Sequence, residues 1–309
     1  MSKIAFIFPG QASQYVGMGI DFYNKSKIVK KLYDCAEEKF NFSLKEISFY
    51  GSLRELTETR VTQPAIFVLS VAIFQELKYR NIVPDMVAGH SLGEYSAIVA
   101  AGCISFEEGL ELVKIRSEQM QIASEKTPGT MAAVVGLSYN KIKSVLSGTK
   151  LSGVCTIANY NSPVQLVISG DKKAIQNAML ALKNAGAKRV IELSVGGAFH
   201  SPLMEPAFKK ISETIDSIEF KKPEVPIYMN ATGLPTQDVN EIKQRLKEQL
   251  TSPVLWTTII ENMVENGAKR FLEVGPGKVL QGLVKRINPK VIVKGVGTWE
   301  ELENFKWEE

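Results

Sequence analysis

One serine stands between two glycines in Gly89-His90-Ser91-Leu92-Gly93, behind an apolar DMVAG stretch and ahead of a run that reads as helix. A G-x-S-x-G segment between strand and helix is the pattern of a nucleophile elbow, whose glycines permit the sharp turn that holds the hydroxyl up. A neutral serine is a poor nucleophile and needs a base within reach. The chain contains only two histidines, so the search is short. His90 adjoins Ser91, and in a tight turn successive side chains diverge. That leaves His200, in GGAFHSPLM, with a lysine or carboxylate base still open. No acid obviously completes a triad: Asp171 and Glu192 lie in another part of the chain, and Glu205 follows His200 by five positions. A main-chain carbonyl could orient the imidazole instead, since the acceptor need only fix the tautomer and the ring.

An acyl-enzyme also needs donors aimed at the developing oxyanion. The elbow supplies the N–H of Leu92, and a second donor commonly comes from a loop after another strand. FPGQASQ follows the first expected strand and offers the Gln11 N–H, although the loop reads equally as a turn with polar decoration. Arg116 is the other unusual residue. On an expected helix Ser105–Glu125 it has Leu112 at i−4, Val113 at i−3 and Met120 at i+4, with no acid at ion-pairing spacing. It either snorkels to the surface or points into a cavity, where a carboxylate gripped by two parallel hydrogen bonds is the expected guest.

Alternating elements must hold these groups. KIAFIF and DMVAG read as strands, with helices over Gln63–Arg80, from Ser91, and from Ser105, whose hydroxyl and Glu108 form a capping box. That alternation predicts α/β with a largely parallel sheet. From Thr127 the rhythm changes. TMAAVVGL, VCTIANY, VQLVISG and KRVIELSV read as strands, with one helix over Ser138–Ser147 and another capped by Asp171 and stopping at Gly186. The order β-α-β-β-α-β is a split-βαβ unit. VPIYMN and RFLEVG then resume the first style. The expected fold is an α/β-hydrolase-like catalytic domain with a mostly parallel sheet (residues 1–126 and 197–309), carrying an inserted ferredoxin-like subdomain (residues 127–196). EVGPGK lacks phosphate-loop spacing and reads as a packing turn.

Over 309 residues, 45% are hydrophobic and 23% charged, enough for a sizeable core. No run approaches the roughly 18 apolar residues of a membrane span, and MSKIAFIFPGQ is too quickly broken for a signal peptide. Cys35, Cys103 and Cys155 are scattered and read as reduced, mostly buried thiols of a cytoplasmic protein. A net charge of +4 without a dense basic stripe argues against nucleic acid as partner.

GQASQ at 10–14, GHSLGEY at 89–95, Arg116 within VKIRSEQMQ, ANYNSP at 158–163, FHSPLM at 199–204, QLTSPVLW at 249–256 and EVGPGKVL at 273–280 resemble the malonyl-CoA:acyl carrier protein transacylases. The likeness spans nearly the whole chain, in order. It implies Ser91 as acylated nucleophile, His200 as its base and the main-chain carbonyl of Gln249 as the group that orients His200. It likewise implies Gln11 and Leu92 as oxyanion donors, Arg116 as clamp for the malonyl carboxylate, and Asn159 and Asn161 as cleft residues. Phe199 resembles malonyl-selecting members. Ala12 stands where glycine is common, and the final WEELENFKWEE matches no motif. The implied substrates are malonyl-CoA and the phosphopantetheine thiol of acyl carrier protein, in fatty-acid or polyketide synthesis. No metal or bound cofactor, no membrane and a monomeric chain are expected. Two other readings stay open: an acyl hydrolase on the same scaffold, and a docking partner that keeps the fold without the chemistry.

Overall fold

In the computed structural model, which describes residues 2–307, ten strands form two sheets. They are β1 (Lys3–Phe8), β2 (Met86–Gly89), β3 (Gly129–Val135), β4 (Cys155–Ser162), β5 (Gln165–Asp171), β6 (Arg189–Glu192), β7 (Ile227–Tyr228), β8 (Pro235–Thr236), β9 (Ala268–Val274) and β10 (Ile292–Val296). The six-stranded sheet runs β10-β9-β1-β2-β7-β8 and is parallel except for β8. The second sheet, β4-β5-β3-β6, is wholly antiparallel.

Both faces of the parallel sheet are covered, which is why its strands read as unbroken apolar runs. The twofold alternation along β1 divides the core. Phe6 and Phe8 enter one cluster, meeting Phe74 of the helix Thr59–Tyr79 edge-on, while Ala5 and Ile7 enter another with Ile260 and Leu283. In the small sheet Ala132, Val134, Leu166 and Ile168 pack against helices Tyr139–Gly148 and Lys172–Asn184. Their neighbours Met131, Ala133 and Val167 face the cleft described below. The small sheet is tied at β4 to the segment that precedes the helix Trp256–Glu265: the Tyr160 N–H donates to Val254 O at 2.9 Å and the Val254 N–H to Ala158 O at 2.8 Å.

Several expectations need correction. The long helix begins at Thr59, four residues before Gln63, with Pro64 inside it. The helix after β2 is Gly93–Ala100, because Ser91 itself takes a left-handed backbone that no helix can continue. Asp171 stands before its helix but does not cap it; its carboxylate accepts the Val154 N–H at 2.6 Å instead. Cys103 is buried, whereas Cys35 and Cys155 are half-buried. Four short helices between residues 20 and 57, and strand β10, had no counterpart in the sequence reading.

Candidate active site

Parallel strands gather their carboxyl ends, and sites form in the loops beyond them. Phe8 pairs with Gly89, so the loop after β1 and the elbow after β2 lie side by side. The fit leaves no room for side chains. A Cβ on Gly89 would meet the Gly93 carbonyl carbon at 1.8 Å, and one on Gly93 would meet Phe8 O at 2.0 Å. The G-x-S-x-G spacing is thus a steric requirement, and it forces Ser91 to φ 51°. Left-handed backbone costs an L-residue about 1–2 kcal/mol, so neighbouring groups must hold it there.

His200 also has a left-handed backbone, at φ 56°. Its Nε2 lies 2.8 Å from Ser91 Oγ, and its Nδ1 lies 2.9 Å from Gln249 O and 3.2 Å from Ser252 O. Both carbonyls can only accept, so Nδ1 carries the ring proton and Nε2 is left to receive the serine's. Burial, and after it the charge of Arg116, pushes the imidazole down to about 3 from its ordinary value, which keeps it neutral and basic-faced toward Ser91. His90 turns away from Ser91: its Nε2 meets Asn161 Oδ1 at 2.9 Å and its ring packs edge-on to Trp256.

Arg116 does not snorkel. It is 1% exposed and lies over the Tyr95 ring, 5.3 Å from its centroid. Nη1 donates to Gln63 Oε1 at 2.6 Å, and Nη2 to Ser91 Oγ at 3.1 Å and Gln249 Oε1 at 3.0 Å, while the buried Nε has no hydrogen-bond partner among the described residues. A guanidinium therefore stands beside the one hydroxyl that also faces an imidazole. Gln11, Ser91, Asn159, Asn161, Phe199 and His200 line a cleft of about 220 Å³ between the elbow and the small sheet. The N–H groups of Gln11 and Leu92 donate to no acceptor among the described residues. Ala12, in the Gln11 loop, sits at φ 78°, a conformation glycine adopts more easily.

Sequence reasoning missed three buried groups. Gln63 links Arg116 to Gln11, whose Oε1 it reaches at 3.3 Å. Asn230 accepts the Ser91 N–H at 2.7 Å. Glu94 accepts from Asn230 N–H at 2.6 Å and from the Gln249 side chain. Only Glu94 left a signal: it is the sole acid or base of ordinary charge between residues 87 and 105.

The depressed imidazole has a measurable consequence. An ordinary histidine would lose about thirtyfold of its free-base fraction at pH 5. Since the folded ring titrates well below the usual range, sulfonylation of Ser91 by a neutral sulfonyl fluoride is expected to hold its rate from pH 7 down to pH 5. An inflection near 6.5 would show the ring to be more solvated than its burial indicates.

A serine raised on a strand–helix elbow and faced by an imidazole is the apparatus of acyl transfer through a serine ester, to water or to another acceptor. The Acyl transferase domain family matches residues 5–293. The malonyl CoA-acyl carrier protein transacylase of Bacillus subtilis is 42% identical over 98% of this chain and 96% of its own, and that of Haemophilus influenzae 37% identical over 99% of each. Among solved structures, an acyl carrier protein S-malonyltransferase from Vibrio cholerae superposes with a TM-score of 0.94 at 38% identity, covering 99% of this chain and 100% of its own. A malonyl-transacylase in complex with its type II polyketide synthase acyl-carrier protein also gives 0.94, at 37% identity over 98% of each chain. The chain belongs to the malonyl-CoA:acyl carrier protein transacylase family.

Proposed function

We propose that the protein transfers the malonyl group of malonyl-CoA to the phosphopantetheine thiol of acyl carrier protein, by a ping-pong reaction through a malonyl ester of Ser91. Ser91 Oγ attacks the thioester carbon as its proton passes to His200 Nε2, 2.8 Å away. The Gln11 and Leu92 N–H groups receive the oxyanion, and the Gln249 carbonyl holds the ring as it becomes charged. CoA leaves with the proton from His200. The incoming carrier thiol then gives its proton to the same nitrogen and attacks the ester carbon, and the Ser91 Oγ–acyl bond breaks as His200 returns the proton to Oγ.

The observation that carries this reading is the buried Arg116 guanidinium 3.1 Å from Ser91 Oγ. An acyl group bound to that oxygen and ending in a second carboxylate one carbon further on can reach it, which suits a malonyl ester. A carrier-protein hydrolase shares Ser91 and His200 but has less need of such a cation. Intact-mass analysis after mixing with malonyl-CoA tests the ester, and addition of holo carrier protein tests its fate. Malonyl on the carrier supports transfer; free malonate alone would favour the hydrolase.

Arg116→Ala removes two charge-assisted hydrogen bonds worth about 1.5–3 kcal/mol each, so malonyl loading is expected to fall about 10²–10⁴-fold. Acetyl loading, which offers no carboxylate, should change far less. Equal losses on both acyl groups would refute the clamp.

Asn159, Asn161 and Phe199 line the substrate channel in this reading, with Phe199 restricting the acyl branch. The large unit, residues 1–126 and 197–309, is α/β-hydrolase-like, and the insert of residues 127–196 is ferredoxin-like; residue 1 and residues 308–309 lie outside the described residues. The order β3, helix, β4, β5, helix, β6 supports that description. The chemistry needs no bound cofactor. Among the described residues no helix is long and apolar enough to cross a membrane. From the family's substrates we read the protein as a cytoplasmic monomer serving fatty-acid or polyketide assembly.

A further inference from the structure

A buried carboxylate lies three residues beyond Ser91 and takes no part in the steps above. Glu94 is fully buried. Its Oε1 accepts the Asn230 N–H at 2.6 Å, and its Oε2 accepts a hydrogen bond from Gln249 Nε2. Asn230, also fully buried, clasps the elbow from both sides: Oδ1 accepts the Ser91 N–H at 2.7 Å and Nδ2 donates to Gly89 O at 2.7 Å. The Gln249 carboxamide also donates to Ser91 O at 2.9 Å, and its Oε1 accepts from Arg116 Nη2 at 3.0 Å. Its own main-chain carbonyl takes the His200 ring proton.

We propose that Glu94 is a positioning residue for the Arg116 clamp, fixing which end of the Gln249 carboxamide faces the guanidinium, and that Asn230 anchors Glu94 to the Ser91 backbone. The ground is a count of donors and acceptors. A carboxamide can turn over with almost no change of shape, so its partners alone choose its orientation. Both Glu94 oxygens accept from N–H donors, and a guanidinium only donates. Between them Gln249 has one arrangement that satisfies both: NH₂ toward Glu94, oxygen toward Arg116. Burial pushes the Glu94 carboxyl up to about 8 even with the hydrogen bonds from Asn230 and Gln249 and the charge of Arg116 pulling it down. Without the Glu94 acceptor only Ser91 O holds the NH₂ end, and a donor placed at position 94 favours turning the carboxamide over. Two sets of N–H groups would then face each other, and Arg116 would leave its place beside Ser91.

The inference rests on reading Arg116 as the malonyl clamp, so three variants are compared. Glu94→Gln offers one acceptor and one donor where two acceptors are needed. Its malonyl loading is expected to weaken about tenfold or more, chiefly through KM for malonyl-CoA. Acetyl loading of the same sample should fall much less than malonyl loading, and a cooperative melt only a few degrees lower shows that the variant folds. Asn230→Asp keeps the acceptor for the Ser91 N–H but sets an oxygen against Gly89 O. It should lower kcat for both acyl groups and leave KM for malonyl-CoA alone. A Glu94→Gln enzyme that keeps its malonyl preference, or loses both acyl groups in equal proportion, overturns the inference. So does an Asn230→Asp enzyme that changes only KM. If Arg116→Ala loses the preference while Glu94→Gln keeps it, this inference alone falls. If Arg116→Ala keeps it, the clamp reading falls too.

Discussion

Ser91→Ala should gain no mass on incubation with malonyl-CoA, and its transfer rate to holo carrier protein should drop on the order of a millionfold. The expectation follows from position as much as chemistry. Ser91 is the hydroxyl in contact with both the His200 ring and the Arg116 guanidinium, at 2.8 and 3.1 Å. Alanine keeps the Cβ and the left-handed backbone, so the fold should survive. A malonyl adduct on any other residue of the variant would place the covalent step elsewhere.

His200→Ala should be nearly as damaging, because a nucleophile and its base act as one unit. Removing either costs about as much as removing both, so the double variant Ser91→Ala, His200→Ala should be no slower than the worse single one. Nε2 has no substitute near the serine: His90 is committed to Asn161, and the remaining side-chain contact, Arg116, cannot accept a proton. Losses that multiplied in the double variant would mean that the two residues work independently. Retention of fast acylation in His200→Ala would mean that some other group takes the proton.

The inner strands of the parallel sheet were legible because burial on both faces leaves an apolar signature, and KIAFIF became β1 residue for residue, whereas the half-exposed edge strand β10 was passed over. The small sheet was legible in the same way, as apolar runs such as TMAAVVGL and VQLVISG separated by helical stretches. Pro64 obscured the start of the long helix, since a proline inside a helix looks like a beginning. Asp171 misled because a helix-capping residue type can be claimed by a more distant partner, here the N–H of Val154. Three of the helices of residues 20–57 are too brief to establish a period, while the eleven-residue Lys27–Glu37 carries one at Val29, Tyr33 and Ala36 that the polar residues around it obscured. In the site, Ser91 and His200 stood out by rarity and spacing, and Arg116 by a charge on an apolar face. Gln63, Asn230 and Glu94 act through contacts between residues 53 to 155 positions apart, which no local pattern encodes.

Four non-glycine residues have positive φ among the described residues, and two of them are Ser91 and His200. At about 1–2 kcal/mol each, the chain carries a permanent thermal handicap at the two positions where turnover forbids any remedy. Glycine at either would ease the backbone and erase the chemistry. A lineage bred only for heat endurance would therefore be drawn toward inactive forms, and hardening compatible with activity has to come from positions away from the cleft.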